Sequence, residues 1–131
     1  MTTLLNHATE VLLLLFLIIT FLQSGLDKLL DWKGNVSWLK EHFAKTPFKN
    51  SVPLLVGTIL VVELLAGIFS IAGIYQLLSA DETAMAFYGG IMSCVALLML
   101  LFGQRIAKDY EGARTIVIYF IPAILLVFLL Q

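Results

Sequence analysis

Cysteine is nearly absent from this 131-residue chain, with Cys94 the only one, and histidine occurs only at His7 and His42. A lone cysteine excludes an intrachain disulfide cycle and a Cys-x-x-Cys redox centre. The chain also lacks a Gly-rich phosphate loop and a Ser-His-Asp arrangement, so catalysis by this chain alone is not expected. Charge is scarce as well: 13% of residues are Asp, Glu, Lys or Arg against 60% hydrophobic. So little polar surface cannot cover a small domain in water. The net charge of −1 gives no basis for a nucleic-acid partner.

What the sequence has in abundance is apolar run. Four runs, Ala8 to Leu30, Leu54 to Leu78, Ala84 to Phe102 and Thr115 to Leu130, hold no Lys or Arg in their interiors. A membrane-spanning helix needs about 20 such residues, which the first three approach or exceed. The fourth has sixteen. At ~1.5 Å per residue it would span only about 24 Å, so it either stands nearly upright or starts a turn earlier, near Glu111. The expectation is one all-α domain over residues 1–131, a four-helix transmembrane bundle.

The eight basic residues fall in two stretches, Lys28 to Lys49 and Arg105 to Arg114. Short loops rich in Lys and Arg stay cytoplasmic, which places loops 31–53 and 103–114 in the cytoplasm and both termini outside, in the cell (inner) membrane. The first run has no basic segment before it and no small-residue cleavage pattern before Asp27, so it is read as a retained span. Within the long first loop, Trp32 to Asn35 reads as a turn. Val36 to Ala44 reads as a short interfacial helix with Val36, Leu39 and Phe43 on one face, flanked by Trp32 and Trp38. Pro53 opens the second span.

Small residues mark where helices meet, because helices in lipid associate by close packing. Ala86, Gly90 and Cys94 recur along the third span, and Ala66, Ser70, Gly67 and Gly73 along the second. Pro122 inside the fourth predicts a kink.

Glu63 is the one acid deep inside an apolar run, nine residues after Leu54. That is about 14 Å into a hydrocarbon core about 30 Å thick, where a carboxylate needs a partner and often marks a ligand or proton path. Counted back from the cytoplasmic end of the first span, Gln23 and Ser24 reach a similar depth, Lys28 has an arm long enough to reach inward, and Tyr119 lies in the same half of the fourth span. Glu63, Gln23, Lys28 and Tyr119 are therefore the candidate site: a polar pocket for the head of a lipophilic molecule, a quinone being one candidate, with Glu63 as acceptor or proton carrier. The plainer alternative is that Glu63 and Gln23 only tie helices together and Tyr119 anchors at the interface. His7 and His42 fall at opposite membrane faces, which disfavours a bis-histidine haem, and no cluster has metal-ligand spacing.

These residues carry a resemblance. SGLDKLLDW at the end of the first span, VELLAGIFSIAGI in the second and the KDYEGA segment before the fourth resemble the DoxX family of small four-span membrane proteins. Glu10-Val11 stands where many members have an arginine. The family takes its name from a subunit of a thiosulfate:quinone oxidoreductase, so the resemblance implies an accessory or quinone-interacting subunit of a membrane oxidoreductase complex. A small proton-coupled carrier using Glu63 and a purely structural subunit are the other readings. Expected partners are the lipid bilayer, other membrane-protein subunits or further copies of the chain.

The topology has a direct check. With Cys94→Ala as background, an impermeant thiol reagent added outside should label Asp81→Cys and leave Lys45→Cys unlabelled; the opposite pattern inverts the orientation.

Overall fold

The computed structural model describes residues 5–48 and 50–131. Lys49, counted above in the first basic loop, lies outside the described residues, as do Met1 to Leu4. Among the described residues the chain forms α1 (Ala8–Leu30), α2 (Trp32–His42), α3 (Val52–Ala80), α4 (Ala84–Ile106) and α5 (Tyr110–Leu130). Helices α1, α3, α4 and α5 are each long and apolar enough to cross a membrane. The molecule is thus an all-α, multi-pass four-helix bundle, with α2 as a short extra helix in the first loop. Neighbours run alternately up and down in the order α1, α3, α4, α5, and the ring closes only loosely between α5 and α1.

Close packing at small residues holds the ring together. The α1–α3 contact is reciprocal: a Cβ on Gly25 would lie 2.7 Å from a Leu64 methyl, and one on Gly67 2.6 Å from Leu22 Cγ. Each helix therefore seats a leucine of the other on its own glycine. Between α3 and α4 the approach is of backbone on backbone, since a Cβ on Gly73 would lie 2.5 Å from Ala86 Cα. Ala66, Ser70, Ala86 and Cys94 are all buried. The buried hydroxyls of Ser70 and Ser93 donate to the carbonyls of Ala66 and Gly89, each at 2.7 Å, so neither is left unsatisfied in an apolar core. Leucine and isoleucine side chains such as Leu12, Ile19, Leu54 and Ile118 point outward. In lipid that outward apolar face is the solvated one.

The spans differ from their sequence expectation at the ends. Helix α4 runs on to Ile106 and α5 begins at Tyr110, which makes the fourth span 21 residues and a full crossing. The cause is the turn between them. Lys108 adopts a left-handed conformation (φ 61°) that lets the Lys108 and Asp109 N–H groups bond back to the Arg105 and Gln104 carbonyls. The Asp109 side chain then accepts from Gly112 N at 3.0 Å and caps α5. Helix α3 likewise starts at Val52, with Pro53 in its first turn, and continues to Ala80. Helix α5 continues through Pro122 to Leu130.

The first loop needs a larger correction. Trp32 to Asn35 is not a separate turn: α2 spans Trp32–His42 and follows α1 after Asp31 alone. Gly34 signalled a turn in the sequence, but it is helical, and the space a Cβ would take there is filled by the Asp31 carboxylate. Asn35 Nδ2 also donates to the Asp31 carbonyl at 2.8 Å, fixing the corner. Helix α2 docks on the start of α3 through Val36, Val52 and Val56, with Trp32, Leu39 and Phe43 packed around them. The expected apolar face of the helix is the face that docks.

Gly73 and Gly57 of α3 offer a matched comparison. Ala in place of Gly57 meets nothing nearer than Trp32 at 3.7 Å. Gly73→Ala should destabilise the detergent-solubilised protein by about 1–3 kcal/mol through overpacking, while Gly57→Ala should be neutral or stabilising by up to about 1 kcal/mol. Thermal melts of the two variants beside the unsubstituted chain measure the difference.

Candidate functional site

The deepest polar contact in the bundle joins α1 to α3. Lys28, in the last turn of α1, turns inward rather than out to the membrane surface, and its Nζ lies 2.8 Å from Oε1 of Glu63. The Glu63 side chain is 1% exposed and that of Lys28 15%. Three features permit the contact: Gly25, one turn earlier on α1, lets the helices approach; Leu64 fills the gap beside it; and the Lys28 stem passes along apolar surface. Lys28 Nζ also donates to Ser24 Oγ at 2.7 Å. That ammonium is the partner of Oε1, so Glu63 is held in the core as a buried ion pair with Lys28.

Glu63 forms the floor of an open cleft of about 490 Å³ at the loose α1–α5 seam. Helix α1 contributes Thr20, Gln23, Ser24 and Asp27, α5 contributes Ile116 and Tyr119, and Leu97 and Leu100 of α4 complete the inner wall. Phe16 and Tyr119 bridge the seam at its other end, with ring centroids 6.0 Å apart. Gln23 and Asp27 are exposed and Tyr119 is 37% exposed, so the polar mouth faces outward between the two helices. In a bilayer that mouth opens sideways, toward lipid.

A second cavity, of about 260 Å³, lies on the other side of the ion pair, beneath α2. Leu39 and His42 of α2 and Phe43 just after it roof it, Val52, Val56 and Ile59 of α3 and Met99 and Gly103 of α4 wall it, and Lys28 reaches it from α1. The roof is fastened at His42, whose Nε2 lies 3.3 Å from Gln104 Oε1 and 3.7 Å from Asp109 Oδ2, and whose ring stacks on Trp38 at 4.9 Å. Lys28 thus lines one chamber and Glu63 the other, 2.8 Å apart. The pair is a shared wall.

The four residues singled out from the sequence come together in this region, in different roles. Glu63, Gln23 and Tyr119 line the cleft, while Lys28 meets Glu63 from behind. Sequence reasoning missed Asp27 and Thr20 as lining residues. Their signal was present, since Thr20, Gln23, Ser24 and Asp27 recur at three- and four-residue spacing along one face of α1. It missed the chamber beneath α2 altogether. His7 and His42 occupy opposite ends of the bundle, His7 beside Asp81 and His42 beside Asp109. Among the described residues no group of three or more His, Cys, Asp or Glu side chains could hold a metal ion. No family model, curated protein or solved structure matches the chain.

Breaking the pair from one side should be costly. Lys28→Ala leaves a buried carboxylate without its cation and should lower stability in detergent by about 3–5 kcal/mol, most of which the double variant Lys28→Met/Glu63→Leu should recover. Equilibrium unfolding of the single and double variants tests this, and a double variant as unstable as Lys28→Ala would show that the stabilisation lies elsewhere.

Proposed function

We propose that this protein is a DoxX-type membrane subunit that binds the head of a lipophilic molecule, of the quinone class, in the cleft between α1 and α5, as an accessory component of a membrane oxidoreductase complex. The observation that carries the reading is Glu63: a buried carboxylate within an apolar span, paired with Lys28 and lining a cleft between α1 and α5. Ionisable groups at this depth are expensive and are generally tied to a ligand, ion or proton path. The cleft has the composition of a small-molecule site, with apolar walls from Phe16, Ile19, Leu97, Leu100 and Ile116 and a few convergent polar groups. In this reading the apolar walls hold a ring, Gln23 and Tyr119 orient the head at the mouth, and Glu63 takes its hydrogen bond. Electron transfer belongs to the partner subunits. The basic end of the bundle, with Lys33, Lys40, Lys45, Arg105, Lys108 and Arg114, is assigned to the cytoplasmic side of the inner membrane.

A second reading, a small proton-coupled carrier, is favoured by the ion pair standing between two cavities. A change in Glu63 protonation would free Lys28 and alter the wall between them. The two readings separate on purification. Native extraction in mild detergent followed by mass spectrometry should find an isoprenoid quinone and membrane oxidoreductase subunits with the unsubstituted chain, and much less quinone with Glu63→Gln at equal protein level. Protein that purifies alone and ligand-free, yet drives solute uptake in proteoliposomes, would favour the carrier.

A further inference from the structure

The chamber beneath α2 has no part in the ligand reading above, and it differs from the cleft in what it offers an occupant. Of its described lining residues only Lys28, His42 and Gln104 are polar, and each is engaged: Lys28 with Glu63 and Ser24, His42 with Gln104. Water would find few partners in its volume of about 260 Å³, and an apolar cavity of even about 150 Å³ stays dry and takes apolar guests. The chamber also has a rim. Phe102 lines it yet is 61% exposed, and its ring centroid lies 6.1 Å from that of Phe48. A local turn holds Phe48 there: Thr46 Oγ1 donates to the Phe43 carbonyl at 2.8 Å and accepts from Phe48 N at 3.2 Å, and both phenylalanines line the chamber.

We infer that this chamber holds one acyl chain of an anionic membrane phospholipid, which enters past Phe48 and Phe102 and leaves its phosphate headgroup outside, at Lys45 and Arg105. The interior takes a chain because its polar groups are already partnered and a chain asks for none. Its volume falls just below the range of about 300–1,000 Å³ common to sites that enclose whole small molecules, which suits one chain with the head left out. The rim supplies the charge. Arg105 lies three residues beyond Phe102 on the same side of α4, and Lys45 three residues before Phe48; both are exposed, and neither forms an ion pair with a described residue. Asp109, four residues after Arg105, is turned to Gly112 N and His42 instead. The Arg105 guanidinium sits over the Tyr110 ring at 5.0 Å, which steadies it and keeps its N–H groups for a phosphate. All described Lys and Arg residues belong to this end of the bundle, while the opposite end carries Glu10, Asp81 and Glu82. Basic clusters at the ends of membrane helices favour anionic headgroups, so a zwitterionic lipid could seat its chain equally well but gains little at the rim.

The test uses the full chain in nanodiscs of phosphatidylcholine containing phosphatidylglycerol with a diazirine in one acyl chain. After photolysis, peptide mass spectrometry should place crosslinks on chamber residues such as Val56, Ile59 and Met99. Native mass spectrometry in mild detergent should retain one phosphatidylglycerol per chain in preference to phosphatidylcholine. The exposed double variant Lys45→Gln/Arg105→Gln should weaken that preference by about fivefold for each charge removed. Ile59→Trp, which fills the chamber and leaves the rim intact, should abolish both the retained lipid and the chamber crosslinks. Crosslinks confined to outward residues such as Leu54 and Ile118 overturn the proposal, as does equal retention of the two lipids or an unchanged preference in the double variant. Displacement of the lipid by glycerol 3-phosphate alone also overturns it, in favour of a phosphate site without a chain. If Ile59→Trp does not fold, the crosslink positions in the unsubstituted chain decide the matter.

Discussion

A carboxylate inside a bilayer has to be paired, and the pairing of Glu63 with Lys28 sets conditions that much of the bundle meets. Lys28 can reach Glu63 only if α1 and α3 lie very close, and they do so because Gly25 and Gly67 each give room for a leucine of the other helix. Close approach on this side of the ring has a counterpart on the other. With α1 drawn onto α3, and α3 locked to α4 through Gly73 and Ala86, the remaining seam between α1 and α5 is left open. The cleft and the ion pair are two results of one packing arrangement.

The same arrangement sets an almost wholly apolar, drier chamber against a more polar cleft. On the α2 side, Lys28 faces a chamber lined almost wholly by aliphatic and aromatic side chains and closed by a docked amphipathic helix. On the α5 side, Glu63 faces polar residues and an opening. An ammonium tolerates the drier side because its long stem is itself apolar and Ser24 accepts one of its protons. Glu63 in turn takes its partner from that ammonium, at 2.8 Å, while elsewhere in the core Ser70 and Ser93 are satisfied locally.

The four spans, their alternation and the small-residue contacts were legible in the sequence because each is set by short-range rules: run length against bilayer thickness, basic residues in alternate loops, and four-residue spacing of Ala, Gly and Ser. Glu63 stood out for the same reason, as the one acid within an apolar run, and Lys28 as a basic residue within arm's reach. What the sequence hid depended on tertiary packing. Gly34 looked like a turn residue, and only the position of the Asp31 side chain over it shows that its value is space within a helix. The chamber beneath α2 has no sequence signature, since its walls are ordinary Leu, Val, Ile and Phe contributed by three helices whose convergence no local pattern encodes. Asp27 was not singled out, although its spacing from Thr20 and Gln23 places it on the cleft face.

The looseness of the α1–α5 seam also bears on how occupancy is controlled. On the reading proposed above, a cleft that opens sideways would draw its ligand from the surrounding lipid, so the relevant concentration would be the ligand's mole fraction in the bilayer and not its amount in water. Lipophilic molecules are strongly enriched there, and a site of modest intrinsic strength can stay filled. Diluting the membrane with additional lipid would empty such a site even with the total ligand and the aqueous volume unchanged. The membrane then acts as both solvent and reservoir, and its composition sets the working range of the cleft.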